Sequence, residues 1–173
     1  MDTVEDLFSK GIKDTRISIL VFGPQVSKLS LNERTRNLQN KRIQIREKLE
    51  DLGHYVKYAE DLVDPNLPSQ QSNAFLQELV IMPEYDLIIN IVDSPGSIVE
   101  ATAISMKPDL AQKATLFMDS EYLGGLVAET CQFAELAGAD FNTYDYPNDL
   151  IECHLLGFVE ERVRKVQFVK MIL

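Results

Sequence analysis

Short apolar runs alternate with longer amphipathic stretches along the whole chain. Ile17-Ser18-Ile19-Leu20-Val21-Phe22 is β-rich and stops at Gly23-Pro24, which predicts a buried strand closed by a turn. Leu31, Leu38, Ile45, Leu49 and Leu52 then recur at helical spacing among charges, and Gly53 supplies a C-terminal stop. Tyr55-Val56-Lys57-Tyr58 predicts a short second strand. A polar loop runs from Glu60 to about Ser72 and contains Pro65 and Pro68; loops of that length often carry function. Residues 73–82 predict a short helix, and Asp86 to Val92 a third strand apolar enough to be central. Asp93-Ser94-Pro95-Gly96 turns into a helix of about 97–107. Ala114 to Met118 predict a fourth strand, Glu121 to Ala137 a fourth helix and Asp140 to Tyr144 a fifth strand. A last helix is expected from Pro147 to about Lys170. Residues 1–15 are polar and predict no more than one short helix.

Apolar strands alternating with amphipathic helices imply a parallel sheet covered on both faces. The expected fold is α/β: a single Rossmann-like or flavodoxin-like three-layer sandwich spanning 1–173, with 1–15 as an N-terminal extension. Five strands favour the order 2-1-3-4-5, whose ligand crevice lies between the carboxyl ends of strands 1 and 3. Two loops then face each other, Phe22-Gly23-Pro24-Gln25-Val26-Ser27 and Asp93-Ser94-Pro95-Gly96-Ser97, with Glu60-Asp61 opening on the same edge. There is no GxGxxG and no GK[ST], so neither a dinucleotide fingerprint nor a P-loop is present.

Charge sharpens this picture. The 173 residues carry 27 acids and 17 bases, and a 45% hydrophobic content marks a globular composition. Residues 58–161 hold 19 of the acids and only Lys107 and Lys113, a net −17, whereas the remainder is +7. Duplex nucleic acid needs a basic face, which this segment does not offer. The crevice acids Glu60, Asp61, Asp64, Asp93 and Glu100 suit a neutral or partly cationic ligand, such as a nucleoside or the nicotinamide end of NAD. Arg34, Arg36, Lys41, Arg42 and Arg46, and again Arg162, Arg164 and Lys165, read as solvated helix faces or as a surface for a protein partner or a second copy. Cys131 and Cys153 have no CxxC spacing and His54 and His154 are each alone, so reduced thiols and no metal site are expected. No apolar run approaches the roughly 20 residues of a membrane span. With an acidic N-terminus, the expectation is a cytoplasmic protein that does not engage membranes.

Glu100 is the most informative residue, and it has two readings. Ser97-x-x-Glu100 has the form of a capping box, worth about 1 kcal/mol through its N-cap. Alternatively, the Glu100 carboxylate points into the crevice from the first turn of the strand-3 helix, where it can attack or stabilise a sugar C1′ of oxocarbenium character.

The order of these motifs resembles the nucleoside 2-deoxyribosyltransferase-like superfamily over residues 17–119. Phe22-Gly23-Pro24 matches the family's Gly-Pro turn after the first strand. Asp86-Leu87-Ile88-Ile89-Asn90, followed by Ser94-Pro95-Gly96-Ser97-Ile98-Val99-Glu100, matches its aspartate-led strand, proline-glycine turn, hydroxyl residue and glutamate. The family's nucleophilic glutamate falls on Glu100. Ala101-Thr102 stand where family members carry a leucine-glycine pair. Tyr58-Ala59-Glu60-Asp61 and the Ser-Pro-Gly-Ser element look more like the related effector domains of bacterial anti-phage systems, retron-associated ones included. The resemblance implies action on NAD or nucleotides.

The resulting expectation is an N-glycosidase or pentosyltransferase that needs no cofactor. Glu100 would be the nucleophile and Asp93 the acid assisting the leaving base. Phe22, Gly23, Pro24, Glu60, Asp61, Ser94, Gly96 and Ser97 would bind substrate, with Glu60 and Asp61 on ribose hydroxyls and Ser94 and Ser97 on a phosphate at the helix N-terminus. The alternative on the same fold is a non-catalytic sensor of a nucleotide-derived ligand. A receiver-like domain with Asp93 as phosphoacceptor ranks third, since Phe22-Gly23-Pro24 lacks the paired acids such a domain needs.

Overall fold

In the computed structural model, which describes residues 3–27, 29–68 and 73–173, the apolar runs become five strands of one sheet. These are β1 (Ser18–Phe22), β2 (Tyr55–Tyr58), β3 (Leu87–Ile91), β4 (Ala114–Asp119) and β5 (Asp140–Tyr144). All pairings are parallel and the order is β2-β1-β3-β4-β5, as the pattern predicts. Every residue of β3 and β4 is buried, because helices cover both faces of the sheet centre. The edge strand β5 is buried only at Tyr144.

Residue alternation along each strand builds two cores. Leu20, Phe22, Ile88 and Leu116 face one side, where they meet Ala101 and Ile104 of α4 (Pro95–Ser105), α5 (Pro108–Ala111), and Ala128, Cys131 and Ala134 of α6 (Leu126–Leu136). Ile19, Val21, Ile89 and Phe117 face the other side. They meet Leu38, Ile45 and Leu49 of α2 (Glu33–Asp51), Leu150 of α7 (Asn148–Ile151), and Leu155, Val159 and Val163 of α8 (His154–Ile172). The remaining helix of this arrangement, α3 (Ala74–Ile81), precedes β3. Residues 69–72, the end of the predicted polar loop, lie outside the described residues.

The N-terminal extension forms the one short helix expected of it, α1 (Val4–Asp14), with a Thr3–Asp6 capping box. It is clasped to α8: Gln167 donates to the carbonyls of Ile12 and Thr15, both at 2.8 Å, and Phe8 meets Phe168 with ring centroids 6.3 Å apart. The fourth helix starts at Leu126 rather than Glu121, since Ser120–Tyr122 form a 3₁₀ turn capped by Asp119. The last helix is broken at Cys153, whose φ of 69° leaves the helical region and separates α7 from α8. The basic face of α2 is not wholly solvated either. Arg42 is 0% and Lys41 2% exposed.

Candidate functional site

Arg42 lies on the apolar stripe of α2, between Leu38 and Ile45, so the helix drives its side chain under the sheet edge. There it needs acceptors, and the carboxyl end of β1 supplies them. Its Nη2 donates to Val21 O at 2.7 Å, and its Nη1 to Gly23 O at 3.0 Å and Pro24 O at 2.6 Å. Both nitrogens also reach Glu60, each at 2.9 Å, in a bidentate pair. The guanidinium packs over the Tyr58 ring, 4.7 Å from its centroid. Gly23 is required by this contact. Its φ is +141°, and a Cβ there would sit 2.9 Å from Arg42 Cδ.

The second wall is the β3–α4 turn. Ser94, not Ser97, is the N-cap of α4, and Pro95 occupies the first helical position. Ser97 is buried inside the turn: its hydroxyl accepts from the Asp93 and Ser94 amides at 3.0 and 2.9 Å and donates to Ser94 O at 2.9 Å. Asn90 of β3 donates to Ser97 O at 2.9 Å and pins the turn to the sheet. The capping box is therefore Ser94–Ser97, which overturns the Ser97–Glu100 box and releases Glu100 from a capping duty.

A cavity of about 430 Å³ opens between these walls, at the carboxyl ends of β1 and β3. Phe22, Gly23, Glu60, Ser94, Gly96 and Glu100 line it, so six of the ten sequence-predicted site residues come together. The other four do not line it. Pro24 turns its carbonyl to Arg42, and Ser97 is spent within its own turn. Asp61 pairs with Arg46 at 3.3 Å on the outer surface. Asp93 pairs with Arg34 at 2.8 Å and lines a neighbouring cavity. Thr102 returns its hydroxyl to Ile98 O at 2.9 Å, as helical threonines do.

Glu100 is half-buried, and its Oε1 lies over the α4 turn, 3.6 Å from where a Gly96 Cβ would be. Burial pushes its carboxyl up to about 7; the Glu78 and Glu60 carboxylates add to the rise and Arg42 opposes it. No ion pair holds Glu100 among the described residues, whereas Glu60 is held by Arg42. Glu78 of α3 completes the acidic lining; burial, with Glu60 adding, raises its carboxyl too. Sequence reasoning missed Glu78, Arg42 and Arg34. The signal for Arg42 was its spacing, since 38, 42, 45 and 49 share one helix face. Glu78 stands out as the single charge in α3, a helix whose other residues are apolar except Gln77.

The arrangement holds one ion-paired acid, Glu60, beside two carboxyl groups that burial pushes toward their neutral forms, Glu100 up to about 7 and Glu78 upward as well. Such groups can give or take a proton, and a carboxylate stripped of water can attack an electron-poor carbon. Among the described residues no three His, Cys, Asp or Glu side chains converge as metal ligands. None of the helices described is long and apolar enough to cross a membrane.

The fold and this crevice define an α/β sandwich of the doubly wound type with an acid-lined pocket at its topological switch point. The model of the STM3845 retron effector protein family matches residues 32–124, more than half of the 173 residues, and the chain belongs to that family. The matched stretch carries Arg42, Glu60, Glu78, Asp93 and Glu100. No curated protein matches the chain by sequence.

Proposed function

We propose that the protein cleaves the bond between a sugar and its N-linked base, in a nucleoside, nucleotide or NAD, as the effector of an anti-phage retron. The observation that supports this most is the half-buried Glu100 carboxyl, without an ion pair among the described residues, in a cavity large enough for a nucleoside-sized ligand. In this reading the Glu100 carboxylate attacks C1′ as the C1′–N bond breaks, giving a glycosyl-enzyme ester and the free base. Glu78, which lines the same cavity, supplies the proton that a neutral leaving base needs, and water or an acceptor base then displaces the sugar from Glu100 with retention. A cationic leaving group such as nicotinamide needs no such proton. Positive charge developing on the sugar favours the ionised form of Glu100, so substrate itself draws the carboxyl toward its reactive state. Glu60, positioned by its pair with Arg42, accepts from ribose hydroxyls, and Asp93, committed to Arg34, takes no part in the bond cleavage.

The test is to incubate purified protein with NAD, nucleosides and deoxynucleoside monophosphates and to separate released base by chromatography. Base release that disappears in Glu100→Gln supports the reading. An unchanged rate in Glu100→Gln sinks the nucleophile assignment. Tight binding of one candidate without any release transfers the site to a ligand sensor on the same fold.

A further inference from the structure

A smaller cavity, of about 190 Å³, lies between α2 and α7 and shares no lining residue with the Glu100 cavity. Leu150 and Ile151 form its α7 side. Its α2 side is built by Asn37, Asn40, Lys41 and Gln44, which recur at three- and four-residue spacing and so share one helix face. Asn40 and Gln44 are exposed, so the cavity opens to solvent. Among the described residues no carboxylate lines it.

Lys41 is only 2% exposed, and a buried ammonium is costly unless an anion compensates it. Its neighbour Arg42 is buried to the same degree and has that anion in Glu60. Lys41 has none. Its Nζ donates to Gln44 Oε1 at 2.8 Å, and it forms no ion pair among the described residues. The titratable neighbour that acts on it is the Cys153 thiol, and burial draws its ammonium below the usual lysine range. An ammonium carries three N–H donors, so two are left over. The surrounding amides add more. Gln44 accepts through Oε1, which leaves its Nε2 free to donate, and Asn37 spends one N–H on Tyr146 Oη at 3.1 Å.

Size and charge narrow the occupant. The volume is below the roughly 300 Å³ at which pockets for whole small molecules begin, so a nucleoside is too large and a single oxyanion group fits. An unpaired buried cation ringed by N–H donors, with no acid in the lining, calls for an anion. A tetrahedral phosphate offers those donors more oxygens than a carboxylate does, and lysine serves it as a point charge. We infer that this cavity seats a phosphate group, as inorganic phosphate or as the end of a phosphomonoester, on the Lys41 ammonium, with the Asn40 and Gln44 amides donating to its oxygens. The inference stands apart from bond cleavage at Glu100.

The test titrates inorganic phosphate, glycerol 2-phosphate and acetate into the full chain by calorimetry at constant ionic strength. The expected result is saturable binding of phosphate, of the ester or of both, with acetate about tenfold or more weaker, the range of one charge-assisted hydrogen bond. Which of the first two binds distinguishes the free anion from an ester end. Lys41→Met removes the charge at similar volume and should weaken phosphate binding by about tenfold or more. Asn40→Asp, at an exposed position, supplies the missing carboxylate. It should abolish phosphate binding and raise the melting temperature, because the buried ammonium gains its anion, and it carries the test if Lys41→Met does not fold. No saturable binding of either phosphate, acetate binding as tight as phosphate, or phosphate binding unchanged in folded Lys41→Met or Asn40→Asp each overturns the inference, whatever the outcome for base release.

Discussion

Removing the Arg42 guanidinium tests the tie that shapes the cavity. Its five hydrogen bonds join α2, the last turn of β1 and the Glu60 carboxylate. Arg42→Ala leaves three carbonyls without this donor and strips Glu60 of its partner. Breaking a buried ion pair from one side costs about 3–5 kcal/mol. The Glu60 side chain is 24% exposed and can recover some water, which places the expected loss near the lower end, about 3 kcal/mol. Arg42→Lys keeps the charge but not the planar fork, so it should lose about 1–2 kcal/mol. The assay is urea unfolding followed by circular dichroism. A loss of about 3 kcal/mol moves the midpoint by on the order of 1–3 M at an unchanged slope. Arg42→Met combined with Glu60→Gln closes a double-mutant cycle, with an expected coupling of about 1.5–3 kcal/mol. A loss below about 1 kcal/mol for Arg42→Ala, typical of a surface site, would refute the claim that this side chain organises the pocket.

Two further outcomes follow from burial. Glu100 titrates at about 7 when folded and near 4.5 when exposed. The folded state thus binds this proton more tightly, and ionising Glu100 erodes stability as pH rises from about 4.5, an effect complete above about 7. Glu100→Gln should accordingly gain thermal stability over the parent at pH 8 but little at pH 5; a difference independent of pH contradicts the raised value. Cys153 is exposed, whereas Cys131 is buried and its thiol is pushed up to about 11 by that burial. Native protein should release one equivalent rapidly with a chromogenic disulfide and the second only in denaturant, and Cys153→Ser should abolish the fast phase. Two fast equivalents would show that α6 opens readily.

The sheet was legible because its centre is buried on both faces. Ile17 to Phe22, Leu87 to Val92 and Ala114 to Met118 are near-continuous apolar runs, and only a parallel arrangement with helical crossovers accommodates them in that order. The crevice followed from strand order alone, which is why Gly23, Gly96 and Glu100 were found together. What escaped depends on tertiary partners. Arg42 and Arg34 read as surface charge because nothing local says that β1 carbonyls, Glu60 or Asp93 will meet them. The true capping box was obscured because Ser94 and Ser97 both precede a plausible N3 partner, and Pro95 at the first helical position decides for Ser94. The break at Cys153 has no local breaker, since neither Gly nor Pro stands there.

The clasp between the first and last helices has a practical consequence. Lys170 reaches Asp86 at 2.7 Å, and the Asp86 amide bonds to Ser18 O at 3.0 Å, so α8 finishes beside the amino ends of β1 and β3. Thr15, which leads into β1, is bonded to the same stretch of α8. The first described helix and the last thus leave from the floor of the sheet, while the Glu100 cavity opens at its roof. A five-residue strand spans about 17 Å, so a label on the last turn of α8 must bridge at least that height before it can shade the cavity mouth. A short-linked fluorophore there would report on neighbours of the floor rather than on ligands arriving at the roof.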